Sequence, residues 1–165
     1  MVALGEQVYG NITVEEAREQ SSLILENRLQ ENFGSENIVS ILGTKDVLIH
    51  RHDPTTDSRL KDHYAIAKGI ERAGVNVASP KAIYMADEVN KSFMQSENLK
   101  NIKSYDNLNK SQQKEMAKQF EEQLYKAMDA GFEPGDVTIQ DNCGFDVKEN
   151  KIRFYDVADW KVGFN

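Results

Sequence analysis

Four side chains that end in oxygen crowd one stretch of this sequence: Asp136, Asp141, Asn142 and Asp156. Between Asn142 and Asp156 run a β-prone segment at 143–147, a polar turn Lys148-Glu149-Asn150, and a second apolar-polar segment at 151–155. Hard oxygen ligands at strand ends suit a divalent cation such as Mg²⁺, and a carboxylate beside them can orient or deprotonate a hydroxyl. Phosphoryl transfer asks a protein for that set plus a cationic clamp, and for little covalent chemistry. On this reading Asp136 orients the nucleophile while Asn142 and Asp156 hold the metal. Aspartate also favours turns through side chain to backbone hydrogen bonds, so each residue alone has a plain structural reading. Their joint order after a strong helix is what points to chemistry.

Other reactive types carry less. His50 and His52 fall on one face of a strand, but no Glu or Cys stands at ligand spacing from them. Cys143, the single cysteine, has no histidine near it in sequence and cannot form an intrachain disulfide or a cysteine-based zinc site. Gly34-Ser35 is a lone glycine in a loop. Trp160 follows Asp156 closely and suits either a ligand stack or the edge of a core.

The elements that must position these residues are readable in part. Thr13-Val14-Glu15-Glu16 has the form of a capping box, predicting a helix from there to about residue 30. Runs at 37–42 and 46–50 around Gly43-Thr44-Lys45 predict a hairpin. Leu60, Tyr64, Ala67 and Ala73 predict a helix at 59–73, capped by Asp57 or Ser58 and stopped at Gly74. Short strands are expected at 82–85 and around Phe93. Met116, Phe120, Leu124 and Met128 recur every four residues between a cap at Asn109 or Ser111 and a stop at Gly131, predicting a helix with a core-facing stripe. A second hairpin then spans 143–155.

With 165 residues and 39% hydrophobic content, the chain supports one core or two small lobes. A net charge of −7 and a pI near 5.0 argue against a nucleic-acid groove, which needs clustered Lys and Arg. No apolar run approaches the roughly 20 residues of a membrane span, and no basic-then-apolar leader opens the chain. Cytoplasmic residence is the expectation, and export by a dedicated secretion system, which needs neither feature, stays open.

The stretch Ala130-Gly131-Phe132-Glu133-Pro134-Gly135-Asp136, then Asn142, then Ile152-Arg153-Phe154-Tyr155-Asp156 resembles the catalytic loop and metal-binding strand end of the protein-kinase-like superfamily, as in aminoglycoside phosphotransferases and minimal bacterial effector kinases. Pro134 stands where the family has His, and Asn142 lies six positions after Asp136 instead of five. Asp141 keeps the five-residue offset, so Asp141 and Asn142 both stand as ligand candidates. Upstream, the segment 32–39 is similar to a shortened phosphate-covering loop through Gly34 and Ser35. The strand Val47-Leu48-Ile49 looks like the one that carries the clamping lysine, here His50, with Arg51 or Lys45 as substitutes. The turn Lys61-Asp62-His63-Tyr64 lacks the usual glutamate partner. Residues 94–99, with Glu97, fall at the adenine-binding hinge.

The resemblance implies an α+β, minimal two-lobed kinase-like fold: a single domain over 1–165, with a small sheet lobe to about 98 and a truncated helical lobe after it. It implies ATP and Mg²⁺ as cofactors and a protein substrate, such as a host signalling protein or chaperone met by a virulence effector. The chain stops soon after Asp156, which implies a minimal kinase or a fragment of one. A pseudokinase-like or adaptor/immunity module without catalysis is the alternative.

Overall fold

The computed structural model describes residues 6–25, 30–33, 37–42, 46–50, 56–86 and 92–163, with side chains described outside 23–59. Two compact units divide the chain, one of 1–64 with 80–98 and one of 65–79 with 99–165.

In the first unit the predicted cap forms. The Glu16 N–H donates to Thr13 Oγ1 at 3.1 Å and the Thr13 N–H to Glu16 Oε1 at 3.2 Å, opening α1 (Val14–Leu25) behind β1 (Gln7–Gly10). The helix stops short of the expected residue 30, because Gln30 already opens β2 (Gln30–Phe33), laddered to β3 (Asn37–Leu42). Cross-strand pairing outweighs helix propensity there. The strand β4 (Asp46–His50) pairs antiparallel with β3, giving the expected hairpin, whose turn at 43–45 lies outside the described residues. The helix α2 (Thr56–Arg72), whose residues divide between the two units after Tyr64, starts earlier than predicted, so Asp57 and Ser58 sit in its first turn and not at its cap. With β5 (Pro80–Met85) and β6 (Phe93–Glu97), the strands form an antiparallel sheet in the order β1-β5-β6-β4-β3-β2.

Alternation along β5 sends its side chains to both faces. Tyr84 packs with Ala17 and Phe93 on one, and Ile83 and Met85 with Leu60 and Met94 on the other. Buried Glu6 bridges β1's approach to α1: its carboxylate accepts from Arg18 Nη2 at 2.7 Å, Arg18 Nε at 3.1 Å and the Tyr84 hydroxyl at 2.5 Å.

The second unit is built on α3 (Lys110–Asp129), entered through a reciprocal cap between Asn109 and Gln112 and left through Ala130 and Gly131, the latter at φ +92°. The stop expected at Gly131 is made by a left-handed residue, as the sequence predicted for Gly74, which has φ +91°. Met116 is fully buried, and Phe120 and Leu124 pack on the core, but Met128 is 46% exposed, against the expected stripe. Steps of four residues drift by ~40° each around a 3.6-residue helix, so the fourth member turns away. Gln123 and Ala127 take the buried line instead.

Two antiparallel sheets complete this unit: β10 (Lys151–Phe154), β9 (Cys143–Asp146) and β7 (Ile102–Lys103) in that order, and β8 (Phe132–Glu133) with β11 (Lys161–Val162). Phe154, at the heart of the core, meets Trp160 edge-on at 5.8 Å and Phe120 at 6.1 Å. Trp160 thus closes the core. Edge groups of β10 are met from α3 and from the 75–78 segment. The Ile152 N–H donates to Gln119 Oε1 at 2.8 Å, and the Phe154 N–H to the Asn76 carbonyl at 2.8 Å. Gln123 Oε1 in turn accepts from the Asn76 N–H at 2.6 Å. No described helix is long and apolar enough to cross a membrane.

Candidate functional site

The last four strands nest. β9 pairs with β10 through the turn at 147–150, and β8 pairs with β11 outside them. The chain between β8 and β9 (134–142) and the chain between β10 and β11 (155–160) must therefore run side by side, as the two rims of an opening inside one long double hairpin. Asp136, Asp141 and Asn142 lie on one rim, Asp156 on the other. The predicted second hairpin is the inner half of this arrangement. The outer half went unread because two-residue strands leave no periodic signature.

Where the opening meets the inner hairpin, the backbone is unusual on both rims. Asn142 has φ +62° and Asp156 φ +54°, and the Tyr155 N–H donates to the Asn142 carbonyl at 3.1 Å. Asparagine visits this left-handed region readily, aspartate less so. Such positions persist only when surrounding contacts hold them, and they concentrate at functional sites.

Asp136 is gripped by its main chain. Its N–H donates to Asp159 Oδ2 at 2.6 Å, and its carbonyl accepts from Asn142 Nδ2 at 2.6 Å. Among the described residues its exposed carboxylate makes no hydrogen bond. An acid with a fixed backbone and a free head is a good hydroxyl-orienting group. The Asn142 Oδ1 likewise has no described partner.

Asp141 is placed differently. It is exposed, and its main chain closes a small turn with Thr138 through bonds of 3.2 and 3.0 Å. That turn holds Cys143, whose Sγ donates to the Thr138 carbonyl at 3.3 Å. Burial, then the Asp141 charge, pushes the Cys143 thiol up to about 12. A nucleophilic thiolate is thereby ruled against at neutral pH. Tyr155 is also raised, first by burial and then by Cys143, Asp141 and Asp156, which registers the acidity of this opening.

Among the described residues no three of His, Cys, Asp and Glu gather as metal ligands. The candidate ligands, the Asn142 carboxamide and the Asp156 carboxylate, are hard oxygen donors carried on the two facing segments, and donors of that type are the ones Mg²⁺ takes.

The remaining predicted residues lie elsewhere. His50 ends β4 opposite Ile38, and Glu97 ends β6 opposite Asp46; both belong to the first unit. Gly34, Ser35 and Arg51 lie outside the described residues, as does His52, whereas Asn32 and Phe33 are the end of β2. Sequence reasoning missed Asp159. Nothing in the sequence signals it: the mark is spatial, a Cβ on Gly135 falling 2.7 Å from both Asp159 Cγ and the Asp159 carbonyl oxygen, so that position 135 has room only for glycine.

Neither a protein-family model nor a curated protein matches this sequence. Among solved structures, the ternary complex of APH(2'')-IIa with streptomycin and ATP is similar over 94% of this chain and 73% of that one, at a TM-score of 0.59 and 10% identity. The ADP-bound aminoglycoside phosphotransferase APH(2'')-Ib is similar over 87% and 71%, at a TM-score of 0.54 and 11% identity. The likeness is one of fold, and it spans both units: this chain has the α+β, protein-kinase-like fold of the aminoglycoside phosphotransferases.

Proposed function

We propose that this protein is an ATP- and Mg²⁺-dependent phosphotransferase of minimal, atypical kinase type, acting on a protein hydroxyl. The observation that carries the reading is the treatment of Asp136: both main-chain polar groups are bound by side chains of the opening, and the carboxylate has no hydrogen-bond partner among the described residues. The two solved structures of like fold hold ATP and ADP, which supports the choice of nucleotide.

In this scheme Asn142 Oδ1 and the Asp156 carboxylate would hold the metal. Bound there, Mg²⁺ supplies charge neutralisation at the β- and γ-phosphates. Asp136 accepts a hydrogen bond from the acceptor hydroxyl and aims its oxygen at the γ-phosphorus. The new O–P bond forms as the bridging β–γ O–P bond breaks; ADP carries away the electron pair, and the hydroxyl proton passes to the Asp136 carboxylate. Asn142 serves twice, since its Nδ2 steadies the loop that carries the base.

The acceptor we propose is a host protein reached by a secreted bacterial effector, in keeping with the resemblance in sequence. A second reading, a pseudokinase or adaptor/immunity module, is favoured by the clamp: His50 stands at the lysine position, and of the turn 61–64 only His63 is buried.

Calorimetric binding of ATP with and without Mg²⁺, on the wild type and Asp156→Ala, separates the two. Metal-dependent binding that vanishes in the variant supports the phosphotransferase, and ADP release with radiolabel transfer to a protein completes the case. A folded wild type that binds no nucleotide would leave the interaction module as the better account.

A further inference from the structure

Asp159 does no chemistry in the scheme above, yet it is held tightly against the Gly135-Asp136 peptide. Its Oδ2 takes the Asp136 N–H at 2.6 Å, and its Oδ1 is buried without a hydrogen-bond partner among the described residues. Its Cγ and carbonyl lie so near Gly135 that a single added methyl would fall 2.7 Å from each. A hydrogen bond to a carboxylate is roughly twice as strong as a neutral one. Here it ends on the peptide that joins Gly135 to Asp136, so it fixes the plane from which the Asp136 side chain departs. Asn142 holds the other side of the same residue at its carbonyl. Remove either grip and the Asp136 head is aimed less well.

We propose that Asp159 is a positioning residue for Asp136, acting through the main chain and touching neither nucleotide nor acceptor; the inference rests on the phosphotransferase reading. Misplacing a reacting group by about 1 Å costs on the order of 100-fold in rate. Asp159→Ala should therefore lower the kcat for Mg·ATP turnover, followed as ADP release, by about 10–100-fold with KM for ATP unchanged. Asp159→Asn keeps an acceptor oxygen and should restore most of that loss. Asp159→Glu keeps the charge but displaces the oxygen, and should behave like Ala; it decides the matter if the Ala variant does not fold.

Amide hydrogen exchange at Asp136 provides a readout that does not depend on turnover. Protection should be present in the wild type and in Asp159→Asn, and lost in Asp159→Ala and Asp159→Glu. Equal loss of kcat in the Asn and Ala variants with a raised KM for ATP would overturn the proposal, because Asp159 would then act by its charge on the nucleotide. Unchanged exchange at Asp136 in the Ala variant would overturn it too. A wild type that releases no ADP would sink the phosphotransferase reading and the catalytic role of Asp159 with it. The exchange data would still report whether the anchor itself exists.

Discussion

Asn142 and Asp136 are joined by one 2.6 Å hydrogen bond, from the carboxamide Nδ2 to the main-chain carbonyl, which leaves Asn142 Oδ1 without a partner among the described residues. Asp141, one residue earlier, spends its main chain on the Thr138 turn and stays exposed. Substituting the two should therefore have unequal effects. Asn142→Ala is expected to lower Mg·ATP turnover by about 10–100-fold and to raise the Mg²⁺ concentration for half-maximal rate. Asp141→Ala is expected to leave both nearly unchanged. ADP release measured against Mg²⁺ concentration checks the pair, and the reverse pattern would transfer the ligand role to Asp141.

Asp156 separates function from stability. At φ +54° any residue with a Cβ is strained, while glycine is not. Asp156→Gly and Asp156→Ala lose the same carboxylate, so both should abolish metal-dependent ATP binding. The Gly variant should nevertheless be more stable than the Ala variant by about 1 kcal/mol. Urea midpoints of the two proteins test this, and equal midpoints would show that the left-handed turn is not maintained.

Tyr84 sets an alkaline limit on the first unit. Burial, then its hydrogen bond to the Glu6 carboxylate, pushes its hydroxyl up to about 12 from an ordinary 10. Between those values the unfolded chain gives up a proton that the folded chain keeps. This contribution to stability is complete below pH 10 and is lost as pH rises from 10 to 12. Tyr84→Phe should flatten that fall in a urea-midpoint series against pH. At neutral pH the same change should cost about 1–2 kcal/mol, because Glu6 loses a donor.

Cys143 should be chemically silent when folded. With its thiol pushed up to about 12 and its Sγ donating to the Thr138 carbonyl, it carries almost no thiolate at pH 8. Iodoacetamide is expected to leave the native protein unmodified over the time in which it alkylates the urea-unfolded chain completely. Rapid native labelling would show that the Thr138–Asp141 turn opens.

What could be read from the sequence depended on the reach of each signal. The caps at Thr13 and Asn109 and the stops at Gly74 and Gly131 are local chemistry, written in a few adjacent residues, and they appear where expected. The start of β2 at Gln30 was hidden, since its partner Ser40 lies across a hairpin and pairing decides its state. The Glu6, Arg18 and Tyr84 cluster was hidden for the same reason, because its members meet only once β1, α1 and β5 are assembled. Asp136, Asn142 and Asp156 could be singled out as candidates from their types and order, and the nested strands bring the segments that carry them side by side. The contact of Asp159 with the Gly135-Asp136 peptide could not be singled out, because what marks it is the absence of room above Gly135, and a sequence records no distances.

The nested strands change how position along this loop should be counted. β8 with β11 and β9 with β10 clamp the opening at both ends, and the 134–142 rim is longer than the 155–160 rim facing it. The surplus chain is folded into the Thr138–Asp141 turn. Asn142 takes its place from Tyr155 across the gap, so its address is measured backward from the first residue of β9, not forward from Asp136. A residue gained or lost between Asp136 and Asp141 would alter the turn and leave the facing pair in register. The offset of six, where the resemblance leads one to expect five, is thus a spacing that this turn absorbs while Asn142 keeps its place opposite Tyr155.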